Sequence, residues 1–153
     1  MVAGNTTTIY LSTEGVTTIS YFATDVAGNS EAPQSLTIRI DKNRPVISGM
    51  PGPGCKLWPP NHKLVQVGNV TAADALSGLA AGSLMVTGAS NEPIDPSDPA
   101  IVVSPNGSGG FVVQLEADRL GSGAGRIYTL TATAADLAGN VATSTATCTV
   151  PHD

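Results

Sequence analysis

The sequence predicts an all-β fold, and three observations carry that prediction. Apolar and polar residues alternate with a period of two over short stretches, and no window shows a capped 3.6-residue period. Thr, Val, Ala, Ile and Ser fill these stretches, while Gly, Asn, Pro and Asp fill the gaps between them. A motif near the N-terminus returns 111 residues later. That period suits one two-sheet β domain of about 100 residues plus a linker.

In order along the chain, the alternation predicts strands at residues 6–12, 16–24, 34–41, 45–48, 64–73, 84–89, 101–104, 111–117, 126–135 and 141–150. The returning motif is Tyr21-Phe22-Ala23-Thr24-Asp25-Val26-Ala27-Gly28-Asn29, echoed by Ala132-Thr133-Ala134-Ala135-Asp136-Leu137-Ala138-Gly139-Asn140. Parity agrees as well. Ile19, Tyr21 and Ala23 align with Leu130, Ala132 and Ala134, so the same face is apolar in both copies. In each copy Ala-Gly-Asn reads as a hairpin tip. The glycine supplies a positive φ, and the aspartate before the tip bonds turn amides.

The two copies are unequal. A whole domain fits between Pro45 and Asp136, but only 24 residues precede Asp25. Residues 1–43 therefore read as the last three strands of a domain whose front is missing, and residues 44–153 as a complete one. Asp41-Lys42-Asn43-Arg44-Pro45 is the junction, where Pro45 holds Arg44 extended. A three-strand sheet has an apolar face that needs a cover. The complete domain, a second chain or the missing part of a parent protein could supply it.

Within residues 44–153, the first strand region runs over 45–58 and is broken by Pro51-Gly52-Pro53-Gly54, which suits an edge strand that switches sheets. On 64–73, Val65 and Val67 have the opposite parity to Val70 and Ala72. An extra residue at Gly68-Asn69 restores one inward face, so a β-bulge is predicted there. The inward sets are Phe111, Val113, Leu115 and Ala117; Tyr128, Leu130, Ala132 and Ala134; and Ala142, Ala146, Cys148 and Val150. Tyr128 stands where a tyrosine corner would sit, its hydroxyl bonded to backbone in the preceding connection. Seven short strands with turn signals between them predict an immunoglobulin-like β-sandwich, preceded by the three-strand partial repeat.

Composition narrows the function. The chain has 153 residues, 12% of them charged, with a net charge of −5. Seven Lys and Arg spread along it make no basic stripe for nucleic acid. No apolar run is long enough to insert in a membrane. The N-terminal residues carry no basic and apolar leader, so an exported protein would be represented here by an excised piece. The two cysteines, Cys55 and Cys148, read as one disulfide closing a loop of about 93 residues, worth roughly 4–5 kcal/mol by chain entropy. Two buried thiols are the alternative. His62 and His152 have no nucleophile motif beside them, so no catalytic triad is arguable and the chain reads as a non-enzyme. His62, in the rigid turn Trp58-Pro59-Pro60-Asn61-His62-Lys63, reads as a structural residue, with a metal role as the alternative. Trp58 reads as a plug at the end of the sandwich, with a carbohydrate-stacking platform as the alternative; His62 would border that platform. Asp41, Asn43, Asp74, Glu92, Asp25, Asn29, Asp136 and Asn140 offer hard oxygens of the kind that bind Ca²⁺, yet each also suits turn chemistry. No cofactor is required. Gly121-Ser122-Gly123-Ala124-Gly125 feeds no helix and is not a phosphate loop.

Ala23-Thr24-Asp25-Val26-Ala27-Gly28-Asn29 and the junction after Ile40 resemble the ends of bacterial immunoglobulin-like repeats in large exported proteins. Leu57-Trp58-Pro59-Pro60-Asn61-His62-Lys63-Leu64-Val65, with Ser90-Asn91-Glu92-Pro93, Gly125-Arg126-Ile127-Tyr128 and Thr149-Val150-Pro151-His152-Asp153, resembles hyalin-repeat-like modules of secreted bacterial proteins. The resemblance implies a secreted or cell-surface module in tandem with neighbouring immunoglobulin-like repeats, beside adhesins or enzymes. Some relatives bind Ca²⁺ at junctions through such tips, which nominates Asp136, Asn140, Asp25, Asn29 and Asp41; no catalytic residues come with it. The expected function is a non-catalytic spacer or adhesion module. The alternatives are a carbohydrate- or protein-binding module appended to a secreted enzyme, and an assembly unit that self-associates through residues 1–43.

Overall fold

The computed structural model describes residues 8–152. They form ten strands and no helix: β1 (Gly15–Tyr21), β2 (Gln34–Ile40), β3 (Val46–Ser48), β4 (Cys55–Lys56), β5 (Leu64–Ala73), β6 (Met85–Ser90), β7 (Ile101–Pro105), β8 (Phe111–Glu116), β9 (Gly125–Ala135) and β10 (Val141–Pro151). The chain divides into two compact units, one ending at Lys42 and the other beginning at Asn43.

The first unit is an antiparallel hairpin, β1 against β2. Its register sets Ile19 opposite Leu36, Thr17 opposite Ile38 and Gly15 opposite Ile40, so one face is apolar. The third strand expected at residues 6–12 is not seen among the described residues. Residues 8–12 form no strand, and 6 and 7 lie outside the described residues. Lys42 Nζ instead donates to Ser12 O at 2.6 Å, so this segment is held by a side chain rather than a ladder. The register also slips by one residue. Thr24 faces Ser30, but three residues back Tyr21 faces Gln34, four residues on. Pro33 lies within that slip, and a proline has no N–H to give a ladder.

The second unit is two four-stranded sheets, in the orders β4-β10-β9-β6 and β3-β5-β8-β7. Both contribute to one core that includes Val70, Val113, Leu115, Tyr128, Leu130, Ala132, Cys148 and Val150. The expected sheet switch occurs. β3 pairs antiparallel with β5, and β4, past Pro51-Gly52-Pro53-Gly54, pairs parallel with β10 in the other sheet. The bulge on β5 lies at Val67, one residue before the expected Gly68-Asn69, because the register shifts between Gln66 and Gly68. It puts Val65 and Val70 on one face, opposite Leu115 and Phe111. Gly49 fixes the spot: its φ is 78°, and a Cβ there would overlap the Asn69 carbonyl. Asn69 N donates to Gly49 O at 3.1 Å.

Cys55 and Cys148 are opposite each other on β4 and β10 and form a disulfide, with Cα atoms 4.6 Å apart. Such a bond belongs to an oxidising compartment rather than a reducing cytosol. No helix among the described residues is long and apolar enough to cross a membrane.

Candidate functional site

The repeated motif builds the same turn twice. In the first unit Asp25 N donates to Asn29 O at 2.9 Å and Gly28 N to Asp25 O at 3.1 Å. Asp25 Oδ1 accepts from Ala27 N and Asn29 N, and Oδ2 from Asn29 Nδ2, each at 2.9 Å. In the second unit Asp136 N donates to Asn140 O at 3.1 Å and Gly139 N to Asp136 O at 3.3 Å. Asp136 Oδ1 accepts from Asn140 N and Oδ2 from Asn140 Nδ2, both at 2.8 Å. The glycines have φ of 89° and 91°, which the tip requires. Hydrogen bonds from the Asn29 side chain and backbone hold the Asp25 carboxyl below its ordinary value, against a smaller opposing effect of burial.

These bonds settle what the tip carboxylates do in the fold. Both oxygens of Asp25 and of Asp136 already accept from the asparagine four residues on. Asp74 is similar: its Oδ1 accepts from Leu76 N, Ser77 N, Ser77 Oγ and Gly78 N at 2.8–3.3 Å. A carboxylate oxygen of Asp74 lies within 4.8 Å of one on Asp136. Asp41 follows β2 at the end of the first unit.

The second constellation is a polar cluster at one end of the sandwich, and the motifs that are scattered in the sequence meet there. Arg126, on β9, is 5% exposed and donates from Nε to Glu92 Oε2 at 3.0 Å. Its Nη1 donates to Tyr128 Oη at 3.2 Å, and Nη2 lies 3.7 Å from Asp118 Oδ2. Glu92 Oε2 also accepts from Leu120 N at 2.9 Å. Tyr128, fully buried, donates its hydroxyl to Glu116 O at 2.9 Å, the corner bond expected of it. Burial pushes the Tyr128 phenol up, an effect that the Arg126 hydrogen bond only partly offsets. Asn91 ties the β6 end to β9: its N donates to Ile127 O, its Oδ1 accepts from Ile127 N at 2.6 Å, and its Nδ2 donates to Gly125 O. Arg119 closes the chain end, donating to the carbonyls of Pro151, Leu120 and His152.

His62 faces this cluster from the turn before β5. It is the one non-glycine residue with a positive φ, 57°, among the described residues. The turn is clamped by backbone: Asn61 N and His62 N both donate to Ala117 O, and Ala117 N donates to Lys63 O. Glu116 and Asp118, on either side of Ala117, are thereby set against the imidazole. Nδ1 lies 3.3 Å from Glu116 Oε1 and Nε2 3.5 Å from Asp118 Oδ1. A cavity of about 210 Å³ opens here, lined by His62, Asp95, Asp98, Glu116, Asp118 and Arg126 among others.

Trp58 departs from its expected place. It is 61% exposed and plugs nothing, because the buried position in this stretch belongs to its neighbour Leu57. Alternation past β4 turns Leu57 into the core and Trp58 out. Glu116 and Asp118 escaped the sequence reading as partners of His62. Their only local signal is two carboxylates with i, i+2 spacing, and His62 lies more than 50 residues away. No protein-family model matches the chain, and a search of curated proteins finds no relative of it.

Proposed function

We propose that the chain is a non-catalytic structural module of an exported bacterial protein, an immunoglobulin-like sandwich that acts in tandem as a spacer or adhesion module. The observation that carries this reading is the tip built twice, once in each unit, with the same aspartate, glycine and asparagine and the same hydrogen bonds. A repeated turn 111 residues apart is what serial domains of one kind would display. The sheet orders support the immunoglobulin-like part. With β3 and β4 as the two halves of the first strand, one sheet runs first, second, fifth, fourth, and the other contains the third, sixth and seventh. The disulfide supports an exported setting. A tandem spacer requires each module to fold without its neighbours. Residues 43–153 alone should therefore unfold in one cooperative thermal transition, with a midpoint that added Ca²⁺ leaves in place. A chain that stays unfolded sinks the module reading, and a midpoint raised by Ca²⁺ returns the tip and junction carboxylates as ligands.

One observation favours a second reading, a carbohydrate- or protein-binding module. Trp58 is exposed in a rigid turn bordered by Pro59, Pro60 and His62, as a stacking platform would be. Trp58 is the sole tryptophan, so its fluorescence reports on that surface alone. A saturable change on titration with oligosaccharides, abolished in Trp58→Ala, would move the assignment to binding.

A further inference from the structure

We propose that the outer edge of β10 docks a second copy of this chain, edge to edge and antiparallel about Ser144. The inference does not rest on the spacer reading. It rests on an open ladder, on the residues along it and on their symmetry.

β10 has β9 along one side over its whole length, Val141–Pro151. On its other side β4 pairs at Cys148 and Thr149 alone. Among the described residues, no backbone hydrogen bond joins Val141–Thr147 to any segment on that side. The chain does not close over the gap: a cavity of about 440 Å³ is lined by Pro51, Gly52 and Pro53 together with Thr145, Ala146 and Thr147. A row of unpaired N–H and C=O groups is a template for another strand, and proteins usually blunt it with charge, proline or brevity. The other edges of the second unit are blunted. β3 and β4 have three and two residues. β7 ends on Pro105, with Pro99 shortly before it. β6 carries Gly88, where a Cβ would crowd Ile101 and Leu130. Val141–Thr147 has no charged residue, no proline and no glycine.

The occupant follows from symmetry. Two identical edges meet antiparallel across a two-fold axis, where a charge near the axis would face its own copy. The sequence reads nearly the same in both directions from Ser144: Thr143 and Thr145, Ala142 and Ala146, then Val141 and Thr147. Register about Ser144 therefore sets Thr143 of one copy opposite Thr145 of the other, and Ala142 opposite Ala146. Thr143 and Thr145 are exposed, while Ala142, Ser144 and Ala146 are half-buried. This register joins the two four-stranded sheets into one with both cores on the same side. A slip of one residue would set inward residues against outward ones. Directly opposed Thr–Thr pairs favour the ladder. A ladder of this length buries less than the roughly 1,200–2,000 Å² of a stable interface, so the dimer is weak and fills at high concentration.

The test is sedimentation velocity of the full chain over a concentration series. The expected result is a monomer–dimer equilibrium. Thr143→Lys with Thr145→Lys places like charges directly opposite each other and should weaken the dimer about tenfold or more. Thr87→Lys with Ala89→Lys adds the same charge on exposed positions of β6 and should leave the dimer unchanged. Thr143→Glu with Thr145→Glu should also weaken self-pairing, yet an equimolar mixture of the lysine and glutamate variants should pair again. All four sites are exposed, and circular dichroism checks that each variant keeps its fold. The proposal is overturned by a chain that stays monomeric at every concentration. It is equally overturned by a dimer that Thr143→Lys with Thr145→Lys leaves intact, which marks another surface such as residues 1–43. Equal weakening in the β6 control, or lysine and glutamate variants that fail to pair with each other, overturns it as well.

Discussion

Asp25 and Asp136 each spend both carboxylate oxygens on the asparagine four residues later, so the asparagine is as much a part of the tip as the glycine. The Asp25 carboxyl is held low first of all by the Asn29 side chain. Its stabilisation of the turn is therefore present above the ordinary aspartate range and lost as pH falls through the lowered folded value. A carboxyl-detected NMR titration should place the Asp25 midpoint below 3.8, and Asn29→Ala should move it up toward that value. Tyr128 behaves with the opposite sign. Its phenol is raised by burial and must stay protonated to donate to Glu116 O. Its contribution is complete below about pH 10 and is lost as pH rises through the raised value. Tyr128→Phe leaves that carbonyl without its donor, and denaturant unfolding should show a loss of about 1–3 kcal/mol.

At the scale of elements, the end of β9 is joined to the segment after β6 by the buried Arg126–Glu92 pair. Removing Glu92 leaves the buried guanidinium with only the longer contact to Asp118 as a carboxylate partner, so Glu92→Ala should cost up to about 3 kcal/mol, whereas Glu92→Leu with Arg126→Met should cost less. Urea midpoints of the three proteins check this, and equal losses in both variants would refute it. The strands themselves were legible in the sequence because alternation and turn residues are local: β5 and β10 lie where the pattern put them, as does the sheet switch at Pro51-Gly52-Pro53-Gly54. The one-residue slip beside Pro33 and the bulge at Val67 were less so, since register depends on a partner strand. The polar cluster was least legible. Each of Asn91, Glu92, Arg126 and His62 looks like an isolated polar residue, and only the fold brings them to one end. Trp58 was misplaced for a related reason: whether it or Leu57 faces inward depends on how the chain leaves β4.

For the second unit as a whole, the covalent link between β4 and β10 matters most. Replacing Cys55 and Cys148 by alanine should lower its stability by about 3–5 kcal/mol in urea unfolding, with the four-stranded order unchanged in the refolded variant. An unchanged midpoint would mean that the reduced chain is already constrained. The bond has a mechanical consequence as well. Residues 43–54 precede Cys55 and residues 149–153 follow Cys148, so almost the whole unit hangs inside one closed ring. Tension applied at its two ends runs through the sulfur bridge and by-passes the core. Under load, the oxidised unit can pay out only its short tails. Reduction would release the 93-residue loop, on the order of 300 Å of extended chain, so the redox state of a single bond sets how far the module can stretch.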